Sequence, residues 1–162
     1  MSTQHIINIL KDLVKAQKGL LETSIQKTEE IKAGQVDQLQ ATLIKERKAL
    51  HNIEQIESKR IEAVNQWFVE YSLPLEQATI TEMLENLTNE HDKNELEIVA
   101  TDLTETILKL KQQEQLNQAL IQQSMQFVQL SLDLLNPSIT NMNYSGKKET
   151  SQIKRSMFDS QA

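Results

Sequence analysis

The sequence predicts an all-α fold: an elongated antiparallel helical bundle of three long helices plus one short helix, with a flexible C-terminal tail. Turn formers are scarce, with three Gly and two Pro in 162 residues, which leaves room for few loops. Apolar residues recur at spacings of three and four over long stretches, the period of a helix face and not of a strand. Only 38% of residues are apolar and 4% aromatic, so the bundle buries a narrow core whose stability is spread along its length. Residues 1–136 form the expected bundle and residues 137–162 the tail.

The first helix is expected over residues 3–32. Ile6, Leu10, Leu13, Leu20, Leu21, Ile25 and Ile31 mark its apolar side, interrupted at Gln17. Gly34 can take the left-handed conformation that ends a helix, and Asp37 stands where it can accept the next helix's free amides. So short a break implies an antiparallel neighbour. The second helix, residues 37–71, carries Leu39, Leu43, Leu50, Ile53, Ile61, Val64, Trp67 or Phe68, and Tyr71. Its middle is polar where the stripe should pass, at Glu46, Arg47, Glu57 and Arg60, which reads as solvated flanks with charge pairs across the bundle. The aromatic group Trp67, Phe68 and Tyr71 reads as a plug for the bundle's end. Pro74 disfavours helix at Leu73. Thr79 followed by Glu82 is a capping-box pattern for a short helix over residues 80–87, and Asn94 followed by Glu97 repeats it for a last helix over residues 95–136. Pro137 stops that helix.

Several functions are excluded by what the chain lacks. Cysteine is absent, so there is no disulfide frame and no thiolate chemistry. The N-terminus has neither the cationic start nor the unbroken apolar run of a signal peptide, and no stretch is apolar for long enough to span a bilayer. A cytoplasmic protein without membrane insertion is expected. Net charge is −6 and no basic stripe with interleaved aromatics occurs, which argues against nucleic acid. His5, His51 and His91 never stand three residues after a Glu, as di-iron helical bundles require, and His51 with Glu54 reads as a surface pair. The acidic run "NEHDKNELE" lacks the Gly and ligand spacing of a calcium loop. No phosphate loop or nucleophilic triad can be named. Neither a metal, a cofactor nor an enzymatic activity is expected.

The most informative stretch is "QLNQALIQQSMQFVQLSL", residues 115–132, which contains no charged residue although a quarter of the chain is charged. A helical wheel at about 100° per residue separates two apolar stripes. One holds Leu116, Leu120, Phe127, Leu130 and Leu134; the other holds Ile121, Met125, Val128, Leu132 and Leu135. Ser124 and Ser131 lie between them, and Gln118, Gln122, Gln126 and Gln129 line the opposite arc. The stripes together cover roughly 200°, whereas one core-facing side needs about 100° or a little more. Either the other helices bury both stripes, or one is left for a helical partner or a second copy. The candidate binding residues are Leu120, Ile121, Met125, Val128, Leu132 and Leu135.

The segment "LNQALIQQSMQFVQLSLDLL", followed by "NYSG" and ending "RSMFDSQA", resembles the FlgN family of flagellar export chaperones. The earlier "KAGQVDQLQATLIKERKALHNIEQIESKR" is similar to that family's first hairpin, and residues 72–94 carry no family signature. The resemblance implies a chaperone that holds an amphipathic terminal helix of a hook-associated protein. It would prevent premature assembly and bring that client to the export gate or ATPase components. Tyr144 matches the tyrosine that follows the client-binding region in such chaperones and is associated with gate docking; its phenol can enter an apolar pocket while hydrogen-bonding at the rim. Phe158, supported by Met157, is implied as a tail anchor or a cap over the client groove. The other reading of these tail residues is that they are incidental. The alternative for the whole chain is a coiled-coil structural protein that homodimerises through the last helix.

Overall fold

The computed structural model describes residues 2–135, and Tyr144, Met157 and Phe158 lie outside the described residues. The order of elements is α1 (Thr3–Ala33), α2 (Val36–Glu70), a single 3-10 turn (Leu75–Gln77), α3 (Ile80–Asn86) and α4 (Glu90–Leu135), with no strand among the described residues. The all-α bundle is the fold the periodicity predicts. The chain divides into two compact units, Met1–Leu120 and Ile121–Ala162, the division falling inside α4.

Each helix end has a local cause. Ser2 begins α1 by accepting from the Gln4 amide through its hydroxyl at 3.2 Å. Gly34, at φ 66° and ψ 28°, closes it, its amide donating to Ile31 while Gln35 donates to Glu30. These are the paired bonds of a Schellman close, which needs a left-handed residue. A Cβ at Gly34 would meet nothing within 4 Å, so its substitution costs backbone strain alone. Gly34→Ala is therefore expected to lose about 1 kcal/mol in urea melts, with no change in the denaturant slope. α2 closes in the same way without a glycine. Ser72 takes φ 56°, its amide donates to Val69 and the Leu73 amide donates to Phe68. Pro74 then prevents any restart.

Two expected starts need correction. Asp37 does not cap α2; the capping position is Gln35, with no side-chain cap bond, and Asp37 sits in the first turn, where a negative charge favours the helix dipole. The last helix begins at Glu90 and not at residue 95. Asn89 Oδ1 accepts from the amides of His91 at 3.0 Å and Asp92 at 3.3 Å, and its carbonyl accepts from Lys93. Asn94 falls inside the helix, so its spacing to Glu97 imitates a cap that Asn89 already provides. Thr79 is a cap as the spacing predicts, accepting from the Glu82 amide at 3.1 Å.

Within the first unit, α1 and α2 run antiparallel, joined by Lys27 to Glu46 at 2.5 Å near the hairpin turn. α4 runs parallel to α1, because its partners rise in step: Lys11 to Glu95 at 2.5 Å, Lys18 to Asp102 at 2.8 Å, then Thr28 to Asn117. The apolar core gathers at one end. Ile6, Ile7 and Leu10 of α1 meet Ala63, Val64, Trp67 and Phe68 of α2, Met83 of α3, and Leu96 and Val99 of α4. Trp67 stands edge-on to Phe68 at 5.3 Å between ring centres and stacks on Tyr71 at 4.3 Å. The aromatic group thus plugs this end through two fully buried rings, while Tyr71 keeps its outer side exposed.

At the other end the expected stripe fails. Leu43 and Leu50 of α2 and Ile25 of α1 are exposed, as is Ile61 beside the core, and the inward line runs instead through polar residues. Ser24, Lys27, Thr28 and Glu30 of α1, Thr42 of α2, and Thr106 and Asn117 of α4 are buried. Glu46 is correspondingly turned inward to Lys27 and is no solvated flank, whereas Arg47 is exposed and Arg60 pairs with Glu57 along α2 at 2.6 Å. The Glu57 carboxylate raises the Arg60 pKa through that hydrogen bond.

Candidate functional site

The charge-free stretch is helical to Leu135, with no Gly or Pro to break it. Leu120, half-buried, is the last residue of the first unit. Ile121, Met125, Val128, Leu132 and Leu135 all fall in the second unit. All five are exposed, from 40% at Ile121 to 67% at Met125 and 77% at Leu135. Successive members stand three or four residues apart, so their side chains share one face over four turns of helix.

Ile121, Ser124, Met125, Val128 and Gln129 line a shallow depression of about 370 Å³ on this face. Its floor is apolar and one rim carries the Gln129 amide, which donates to Asp133 at 3.0 Å. Ser131 returns its hydroxyl proton to the Phe127 carbonyl at 2.9 Å, so its polarity is spent on the helix itself. The second stripe is exposed as well: Phe127 at 70%, Leu130 at 59% and Leu134 at 73%. The wheel separates these residues from the first stripe, and the candidate set omits them. Their exposure makes them part of the available surface.

No ionisable side chain lies within residues 115–132, so recognition here rests on apolar area and shape, with glutamine amides at the margin. Such a face performs no acid–base chemistry. It can bury another apolar helix face, each fully covered side chain contributing about 1.5–3 kcal/mol before the cost of association is subtracted. Among the described residues no group of three or more His, Cys, Asp or Glu is placed to hold a metal ion. No described helix is long and apolar enough to cross a membrane.

The family described as FlgN protein matches residues 1–152. The chain is 35% identical to the uncharacterized protein YvyG of Bacillus subtilis (strain 168) over 165 residues, covering the whole of both chains. No solved structure matches. A match across both the bundle and the charge-free helix shows that the chain belongs to the FlgN family of flagellar export chaperones.

Proposed function

We propose that this chain is a cytoplasmic chaperone that holds an amphipathic terminal helix of a hook-associated protein against Ile121, Met125, Val128, Leu132 and Leu135. Leu120, in the first unit, is the sixth residue assigned to client binding. Binding keeps the client from assembling early, and the complex is then brought to the export gate or ATPase components of the flagellar export apparatus. The observation that carries the reading is the exposure of a charge-free apolar face in a chain of this family. A client helix with its own apolar face would cover the depression at Met125 and Val128 without any charge pairing. Covering five such side chains is enough for a micromolar complex, roughly −8 kcal/mol net. That strength suits a partner that must be released. Tyr144 is assigned to the export gate, and Met157 and Phe158 to a tail anchor.

The same face is also chemically suited to a second copy of the chain, since both of its stripes are exposed. Light scattering of the protein alone, then mixed with a hook-associated protein of the same organism, separates the readings. A monomer is expected that forms a one-to-one complex. Met125→Asp with Val128→Asp is expected to weaken that complex at least about 100-fold, since each buried charge must be desolvated, while leaving helicity unchanged. A stable dimer that ignores the client and dissociates on the same changes would replace the chaperone reading with the homodimer.

A further inference from the structure

The interior of the first unit changes character along its length. Beyond Leu20 on α1, before Ala63 on α2 and beyond Val99 on α4, no apolar side chain among the described residues is fully buried. The space between the helices is filled there by a hydrogen-bonded seam. Lys27 Nζ donates to Glu46 of α2 at 2.5 Å and to Glu114 of α4 at 2.8 Å. Ser24 donates to Glu114, and the Asn117 amide donates to the Ser24 carbonyl at 2.9 Å. Gln113 donates to the Thr28 hydroxyl, which itself faces Asn117 Oδ1. Thr42 and Gln26 both donate to Glu30 Oε1 at 2.8 Å.

Such a seam holds α4 differently from the apolar end. Separating packed apolar side chains exposes them to water with nothing gained in return. Separating Lys27, Glu46 and Glu114 gives each charge its hydration back, so the loss on opening is small. One buried acceptor of the seam, Glu30 Oε2, has no hydrogen-bond partner among the described residues and gains one from water when the seam opens. The closed seam therefore carries a built-in incentive to part; at the apolar end the Trp67 indole N–H also lacks an acceptor among the described residues, but hydrating it would expose the packed apolar side chains around it.

We infer that the first unit opens in halves. Residues 106–117 of α4 part from residues 24–30 of α1 and 42–46 of α2, while residues 6–10, 64–68 and 96–99 stay packed. Once parted, the helical turns of the seam lose their tertiary support and unwind locally. Opening frees the part of α4 that runs in the chain directly into Ile121, without exposing the apolar core. The device depends on the polarity of the seam and not on the identity of any client.

Native-state amide exchange of the full chain, read residue by residue, tests this. After correction for intrinsic rates, local unwinding at the parted seam should let the amides of residues 27–31 and 113–117 exchange about 100-fold faster than those of residues 9–13, 64–68 and 99–103. Their exchange should also depend little on added urea, because a local opening exposes little surface. Replacing the ionic centre by Lys27→Leu, Glu46→Leu and Glu114→Leu together should remove most of that difference. Equal rates and equal urea dependence at both ends of the wild-type unit would overturn the inference, whether or not the triple variant folds. So would a folded triple variant whose seam amides exchange as fast as before.

Discussion

Trp67→Ala is expected to destabilise the first unit by about 3–5 kcal/mol, read as a fall in the urea midpoint with an unchanged slope. The residue is fully buried in the cluster where four helices meet: Ile6 and Leu10, Phe68 and Val64, Met83, and Leu96 share it. Alanine loses the transfer energy of the indole and leaves a cavity that four rigid helices cannot close. Trp67→Phe should cost much less, about 1–2 kcal/mol. Its smaller ring leaves a smaller cavity, and it removes an indole N–H that has no acceptor among the described residues, itself a cost of about 1–3 kcal/mol. Equal losses for the two substitutions would mean that the surrounding helices close over the space an alanine leaves. The comparison also sets the scale for the binding face, where Met125→Asp should leave the urea midpoint within about 0.5 kcal/mol of wild type because the side chain is exposed.

The helices and their antiparallel hairpin were legible because apolar spacing and the closing residue Gly34 act locally, within a turn or two of chain. The start of α4 was not. Asn89 and Asn94 both offer a side-chain acceptor to free amides, and the choice between them depends on where the Leu87 and Leu96 side chains find their shared cluster. The exposed apolar face could be read from its lack of charge, but which stripe a helix leaves uncovered is a matter of tertiary packing, and here both are exposed. The polar seam was hidden for a different reason. Glu46 looks like a solvated flank when α2 is read alone, and Lys27 carries no local sign of its partners. The signal lay in the spacing Leu20, Ser24, Lys27, Thr28, Ile31, which continues the inward line of α1 with polar residues where Leu or Ile would serve packing better.

That line makes Lys27 the second residue with a large expected effect. Its side chain is 7% exposed, and it is the shared cation of Glu46 and Glu114. Burial alone would lower its pKa, but the hydrogen bonds from its ammonium to Glu114 and Glu46, together with their charges, raise it above the ordinary 10.5. Burial would likewise raise Glu114, yet the bonds from Lys27 and Ser24 and the lysine's charge hold it below the ordinary 4.5. Lys27→Met leaves two carboxylates on neighbouring helices without their cation, and is expected to cost about 3 kcal/mol at pH 7, the lower end for a broken buried pair because Glu114 keeps partial access to water. The loss should depend on pH in a direction set by these shifts. The contribution of Glu114 is full above 4.5 and disappears as pH falls through its lowered value; that of Lys27 is full below 10.5 and disappears as pH rises through its raised value. Wild-type melts should therefore be flat between those limits as far as this seam is concerned. In Lys27→Met the carboxylates repel each other, and taking up one proton relieves them. The gap between variant and wild type should then narrow as pH is lowered from 7 towards 4.5, and Glu114→Gln in the Lys27→Met background should recover part of it at pH 7. A gap that stays constant over that range would mean that the three charges are hydrated independently, and a loss under about 0.5 kcal/mol would place the seam among ordinary surface pairs.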